Sequence, residues 1–233
     1  MPEINLIDFF TYFTGTPEQK EGVQLLQSSM PEKLLRDKSA WVECYRKQPP
    51  AAPVPEWTGY FTPKMMSDLT GYPPDSFDEV FCNDCNRLFT ETGFLGDLEC
   101  ARMLMANMMH ETANFVYMKE IASGEAYEFR SDLGNTQPGD GPKYKGAGVL
   151  QLTGKYNYER LSKGINDSRV MEGVDYVSNT YPFTSAKIWI EENDLLNVCK
   201  TSGFEGCCVR INGGYNGYND RVTKYRVCQR VMV

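Results

Sequence analysis

The chain contains one histidine, His110. A zinc-protease helix needs two histidines on one face, so His110-Glu111 has no partner to complete such a site. Cysteine does not fill the gap. Cys82 and Cys85 form a lone Cys-x-x-Cys, whereas structural zinc takes about four ligands, and no metal is expected. Missing too is any apolar run close to the roughly eighteen residues that a membrane span requires, so no membrane insertion is expected. The N-terminus, Met-Pro-Glu-Ile-Asn-Leu-Ile-Asp-Phe-Phe, has no basic n-region, and no signal peptide is expected. Lysine and arginine never gather into a block, and the formal net charge is -7, which argues against a nucleic-acid groove working by counterion release. Gly146-Ala147-Gly148 lacks the third glycine of a dinucleotide fingerprint, and no Gly-Lys-Ser/Thr occurs; no cofactor is expected.

What is present suits a globular protein. Hydrophobic residues make up 41% and charged residues 24%, and 233 residues are enough for one sizeable domain with an accessory piece. Eight cysteines (44, 82, 85, 100, 199, 207, 208 and 228) are expected as reduced, buried thiols in a chain without an export signal. Residues 1–47 read as a small helical accessory module. Thr16-Pro17 is a helix start, and Pro31 divides the module into two short apolar-faced helices. Residues 48–57 carry Gln-Pro-Pro-Ala-Ala-Pro-Val-Pro, a proline-rich linker, and residues 58–233 form the main domain.

In that domain the helical pattern begins after Pro63, breaks at Gly71-Tyr-Pro-Pro74, and resumes from about Ser76 to Phe89. From Gly96 to His110 the apolar residues Leu98, Cys100, Ala101, Met103, Leu104, Met105, Met108 and Met109 leave little polar surface, the mark of a helix buried on most sides, and its methionines read as core. A short helix is expected at Tyr117–Glu120, another at Ser185–Asn193, a short piece at Leu195-Leu196, and a last helix from an N-capping Asp220 to Met232. Residues 132–142 are turn chemistry throughout, and the glycines after them suit close approach of the backbone to an extended ligand.

Two glutamates stand out. Glu111 ends the apolar helix, where desolvation and the negative end of the helix dipole favour the protonated carboxyl that a general acid needs. Glu128 lies on a polar loop beside Arg130, which favours the ionised form. Glu120 and Glu125 lie close enough to Glu128 in sequence to compete with it as the base.

Three blocks together resemble glycoside hydrolase family 19, the chitinases and related bacteriophage endolysins. They are His110-Glu111-Thr112; the run from Tyr127-Glu128 through Asp132-Leu-Gly-Asn-Thr-Gln-Pro-Gly-Asp140 to Gly148-Val-Leu-Gln-Leu-Thr153 and Tyr156-Asn-Tyr158; and Ile211-Asn-Gly-Gly214 with Asp220-Arg221. The Asn-Thr-Gln-Pro-Gly-Asp form is similar to the bacterial and phage branch. Ala147, Phe129 and Ala113-Asn114 depart from residues common in the family.

The resemblance implies a mainly α-helical, bilobal, lysozyme-like fold with a small β/loop element lining the cleft. It implies Glu111 as general acid, Glu128 as general base and Thr153 as the hydroxyl that holds the attacking water. His110, Gln151, Tyr156, Asn157, Asn212 and Arg221 fall among the substrate-binding positions, with Arg221 supporting the acid and base. The expected activity is that of an inverting endolysin on the β-1,4 bonds of peptidoglycan, which stays in the host cytoplasm until a separate holin gives it access to the wall. A chitinase acting on β-1,4-linked N-acetylglucosamine and a non-catalytic glycan-binding or virion protein are the alternatives.

Overall fold

The computed structural model describes residues 59–233; the accessory module and the proline-rich linker lie outside the described residues. The described part is helical. In chain order the helices are α1 (Pro63–Thr70), α2 (Glu79–Glu91), α3 (Leu98–Glu111), α4 (Asp140–Lys143), α5 (Lys155–Ile165), α6 (Val174–Thr180), α7 (Lys187–Glu192), α8 (Leu195–Asn212) and α9 (Tyr218–Val231). Short 3-10 turns join several of them.

The apolar stretch forms α3, begun by the Asp97 side chain accepting from the Cys100 backbone N–H. Its residues from Cys100 to Met109 are buried almost without interruption, and α8 and α9 pack against it. Around it lies a first core that includes Met66, Leu88, Phe89, Leu104, Met108 and Phe183. Phe81, Phe115 and Phe183 meet edge to face, with centroids 4.8 to 5.6 Å apart, and tie α2 to the chain on either side of the site. Asp84 of α2 adds a polar tie: its carboxylate accepts from the backbone N–H groups of Phe183 and Thr184 and from the Thr184 hydroxyl.

A second, smaller core holds Tyr144, Ala147, Tyr158, Leu161, Val170, Val174 and Val177. The segment from Ala147 to Leu152 passes between the two: Val149 and Leu150 pack on the first, Ala147 and Leu152 on the second. Ile188 and Trp189 divide in the same way. This is the bilobal arrangement, with the small β element reduced to single bridges of Ala147 with Lys119 and with Leu152.

Several expectations need correction. Tyr117–Glu120 is not helical: Ala113, Asn114 and Phe115 all take positive φ and turn the chain, after which Glu120 N–H donates to Gly146 O and Gly148 N–H to Met118 O. The short piece at Leu195-Leu196 is the start of the 18-residue α8, whose non-helical kink at Gly203 blurs the pattern. Asp220 is not the cap of α9. Gly217 is, and the Asp220 carboxylate turns instead to His110 and Lys224. The seven described cysteines are buried, unpaired thiols.

Candidate active site

Glu111 is the last residue of α3, which places its carboxyl at the mouth of the first core. It is not set against apolar surface alone. Its Oε1 accepts from Nη2 of Arg221, a guanidinium only 1% exposed. Arg221 is fixed on two other sides, donating from Nη1 to Asn107 Oδ1 at 2.7 Å and from Nε to Asn216 O. Asn107 is itself buried and donates to Met103 O. Two neighbouring helices therefore lock the acid in place, while Oε2 has no hydrogen-bond partner among the described residues. A buried cation without a counterion is costly, so α3 and α9 hold each other in register through this pair.

His110 does not face the hollows beside Glu111. Its Nδ1 meets Asp220 Oδ2 at 2.6 Å, and its ring fills the space a Cβ on Gly217 would need. Burial pushes the Asp220 carboxyl up, but the His110 hydrogen bond and the nearby Lys224 outweigh it and hold the group below its ordinary range. His110 thus fastens α3 to the start of α9.

Two hollows meet at Gln151. One, about 120 Å³, is lined by Glu111, Leu150, Gln151, Trp189 and Ile211. The other, about 350 Å³, shares Leu150, Gln151 and Trp189 and continues past Thr153, Asn157, Arg160 and Glu192. Gln151 has φ 53 and donates from Nε2 to Gly148 O, so its side chain is aimed by its own turn. Thr153 Oγ1 donates to Gln151 O, which leaves the hydroxyl oxygen free to accept from a water. Asn157 Nδ2 donates to Thr153 O and braces the same strip.

Asn212 ends α8 beside Ile211, one residue from the smaller hollow. Tyr156 is exposed, its ring against Gly134. Trp189, which falls within the helix expected at Ser185–Asn193, borders both hollows. Its position at the junction of the two cores carries no local sequence signal.

The competing carboxylates differ in what they touch. Glu128 has both oxygens engaged by its own loop, Oε1 by Gly139 N–H at 2.6 Å and Oε2 by Gly141 N–H at 2.8 Å. Arg130 pairs with Asp132 rather than with Glu128. The Asp140 carboxyl, driven up by burial, is brought below its usual range by the backbone N–H of Gln137 and by Lys155, so the loop is braced throughout. Glu120 accepts from Tyr127 OH at 3.0 Å and from Gly146 N–H at 2.9 Å. Its Oε2 and Gln151 Oε1 both lie within 3.1 Å of the point that a Cβ on Gly146 would occupy. The absence of that Cβ lets the two side chains converge. Gly148 likewise makes room for Ser185, so these glycines admit the protein's own groups rather than a ligand.

No family model matches the chain. It is 34% identical over 173 residues to an endochitinase of Arabidopsis thaliana, covering 72% of this chain and 59% of that protein. It is 32% identical over 107 residues to a glycosyl hydrolase family 19 domain-containing protein of Haemophilus influenzae, covering 46% of this chain and 52% of the other. The chain is a chitinase-like relative of glycosyl hydrolase family 19. An endochitinase A of Zea mays is 29% identical over 138 residues, covering 55% of this chain and 48% of its own length. The chain thus spans about half to three fifths of the length of these curated relatives. The solved structure of a chitinase C glutamate-to-glutamine mutant matches with TM-score 0.51 and 16% identity, over 73% of this chain and 91% of that one, a likeness of fold.

Proposed function

We propose that this family 19 relative is a glycoside hydrolase that cuts β-1,4-linked N-acetylhexosamine chains with inversion, and that its substrate is the glycan strand of peptidoglycan, as in a phage-type endolysin. The observation that carries the hydrolase reading is Gln151, which borders the hollow of Glu111 on one side and converges with Glu120 on the other. An inverting enzyme needs two carboxyl groups about 6.5–9.5 Å apart, one giving a proton to the leaving oxygen and one taking a proton from water. Glu111 serves as the acid, its Oε1 held by Arg221 and its Oε2 free of partners among the described residues. For the base, the placing of Glu120 Oε2 and Gln151 Oε1 beside Gly146 favours Glu120, whereas the bonds to Gly139 and Gly141 favour a loop-bracing role for Glu128. Thr153 holds the water by its hydroxyl oxygen.

The peptidoglycan reading is supported by the Asn-Thr-Gln-Pro-Gly-Asp run, in the form similar to the bacterial and phage branch. Chitin is the second reading, favoured by the endochitinase names of two relatives. Incubation with purified peptidoglycan and separately with chitin oligomers, followed by mass spectrometry and by NMR of the first-formed anomer, tests both. New muropeptide reducing ends of inverted configuration are expected. Cleavage of chitin alone would replace the substrate, and Glu111→Gln protein with undiminished hydrolysis would remove the acid.

A further inference from the structure

Beyond the hollows at Gln151 lies a third, about 440 Å³, on the far side of Glu120. Its wall runs from Val116 to Ile121 and is completed by Lys145, Asp175, Ser178 and Asn179. The chemistry of this hollow is unlike that of the other two. Tyr117 and Ile121 expose much of their apolar surface here, at 49% and 78%. Lys119 is paired with Asp175 at 2.7 Å, and Glu120 is turned toward Tyr127 and Gly146. Lys145 is the remaining charge. Its ammonium donates to Ala122 O at 2.6 Å and has no carboxylate partner among the described residues. An ammonium has three donors, so two remain for a ligand.

Lys145 is also held in place rather than loosely displayed. Its backbone oxygen accepts from Tyr158 OH of the second core at 2.7 Å, and Gly146, the next residue, is bonded to Glu120 both ways. The backbone bonds fix where the side chain starts and the bond to Ala122 O holds its end, in the hollow that Glu120, the proposed base, also lines. A plain N-acetylglucosamine polymer offers this cation no anionic partner. A peptidoglycan strand does, because every second sugar bears a lactyl ether that carries a peptide with free carboxylates.

We propose that this hollow receives the acidic lactyl-peptide branch of a muramic sugar next to the bond being cut, with Lys145 taking a carboxylate and Tyr117 and Ile121 packing on the branch. This rests on the hydrolase reading and sharpens its substrate. It also fits the overall charge of -7: a protein that gains no long-range attraction for an anionic polymer must find it through a local contact.

The test uses full-length Glu111→Gln protein, which binds without cutting, and calorimetric titration with two soluble probes: a peptidoglycan tetrasaccharide with its peptides, and the uncharged tetrasaccharide of N-acetylglucosamine. The peptide-bearing probe is expected to bind about tenfold more tightly, the order of one charge-assisted hydrogen bond. Adding Lys145→Met should erase the difference and leave binding of the uncharged probe unchanged. Equal weakening of both probes would make Lys145 a sugar contact and overturn the proposal, as would an unchanged preference or no preference at the start. Failure of the hydrolase reading is seen separately, as absence of new reducing ends with the wild-type protein on any of these glycans.

Discussion

Arg221 and Glu111 form an ion pair in which the cation is almost wholly enclosed and the anion reaches the surface of the hollow. The arrangement joins stability to function, because Arg221 is also the donor to Asn107 in the middle of α3. Removing it strands a buried amide and leaves Glu111 without its brace. Arg221→Met is expected to cost about 3–5 kcal/mol, the usual penalty for breaking a buried charged pair. Urea unfolding of the two proteins reads this directly. Arg221→Lys should recover part of the stability but little of the activity, since one ammonium cannot reproduce the planar fork that reaches both Asn107 and Glu111. Equal recovery of both would make the arginine a mere counterion.

Glu120 and Glu128 are separable by the kind of loss each produces. Glu120→Gln keeps the shape and the bond from Gly146, so folding should be preserved while kcat falls by about 10²- to 10⁴-fold, the range for a lost general base. Azide, which needs no base, should restore turnover of an activated glycoside in that variant. Glu128→Gln leaves one backbone N–H of the 139–141 turn facing an amide NH₂ and should lower stability by about 1–3 kcal/mol. The reverse pattern, with rescue in the Glu128 variant, would return the base role to Glu128.

The helices around the site were legible because α3 writes its burial in nearly every residue from Cys100 to Met109. Glu111 at its end followed from the same pattern, and the order of the motif blocks conveyed the two-lobed fold. The base proposed here in place of Glu128, Glu120, was harder to read. Glu120 owes its position to Gly146, twenty-six residues away in sequence, whose missing side chain admits both Glu120 and Gln151. Trp189 was hidden for a related reason: one residue apart, Ile188 and Trp189 serve different cores, and periodicity records only that both are apolar. Asp220 looked like a cap because its sequence neighbours allow one, while its actual partner, His110, lies on another helix.

Ala113 has φ 49 and sits between two buried anchors, Thr112 with its hydroxyl on Met108 O and Phe115 in the first core. A left-handed conformation costs an L-residue about 1–2 kcal/mol, and glycine escapes that at an entropic cost of about 0.5–1 kcal/mol. Ala113→Gly should therefore raise the unfolding free energy by about 0.5–1 kcal/mol, seen as a higher denaturant midpoint at unchanged slope. Asn114 is left alone in this test because its Oδ1 also accepts from Lys224. A lowered midpoint would mean that the Ala113 methyl is part of the packing.

Asp84 ties α2 to the turn that begins the wall of the hollow of about 350 Å³, and burial raises its carboxyl above the ordinary value despite the bonds from Thr184 and Phe183 and the nearby Arg87. The folded state thus holds this proton more tightly than the unfolded chain does. Its contribution is fully present below the unfolded value of about 3.9 and is lost as pH rises through the higher folded value. Asp84→Asn keeps an oxygen for the two backbone N–H groups and offers its NH₂ to the Thr184 hydroxyl, which can rotate to accept. Relative to the wild type, the variant should gain stability as pH is raised from about 4 to 7, with the difference levelling once Asp84 is ionised in both states. Asp84→Ala, which leaves all three donors unanswered, should be destabilised at every pH in that range, so that folding of the two variants separates the charge from the hydrogen bonds. Urea titrations at four or five pH values measure this. A difference between Asp84→Asn and wild type that does not change with pH would show that the carboxyl is not protonated preferentially in the folded chain.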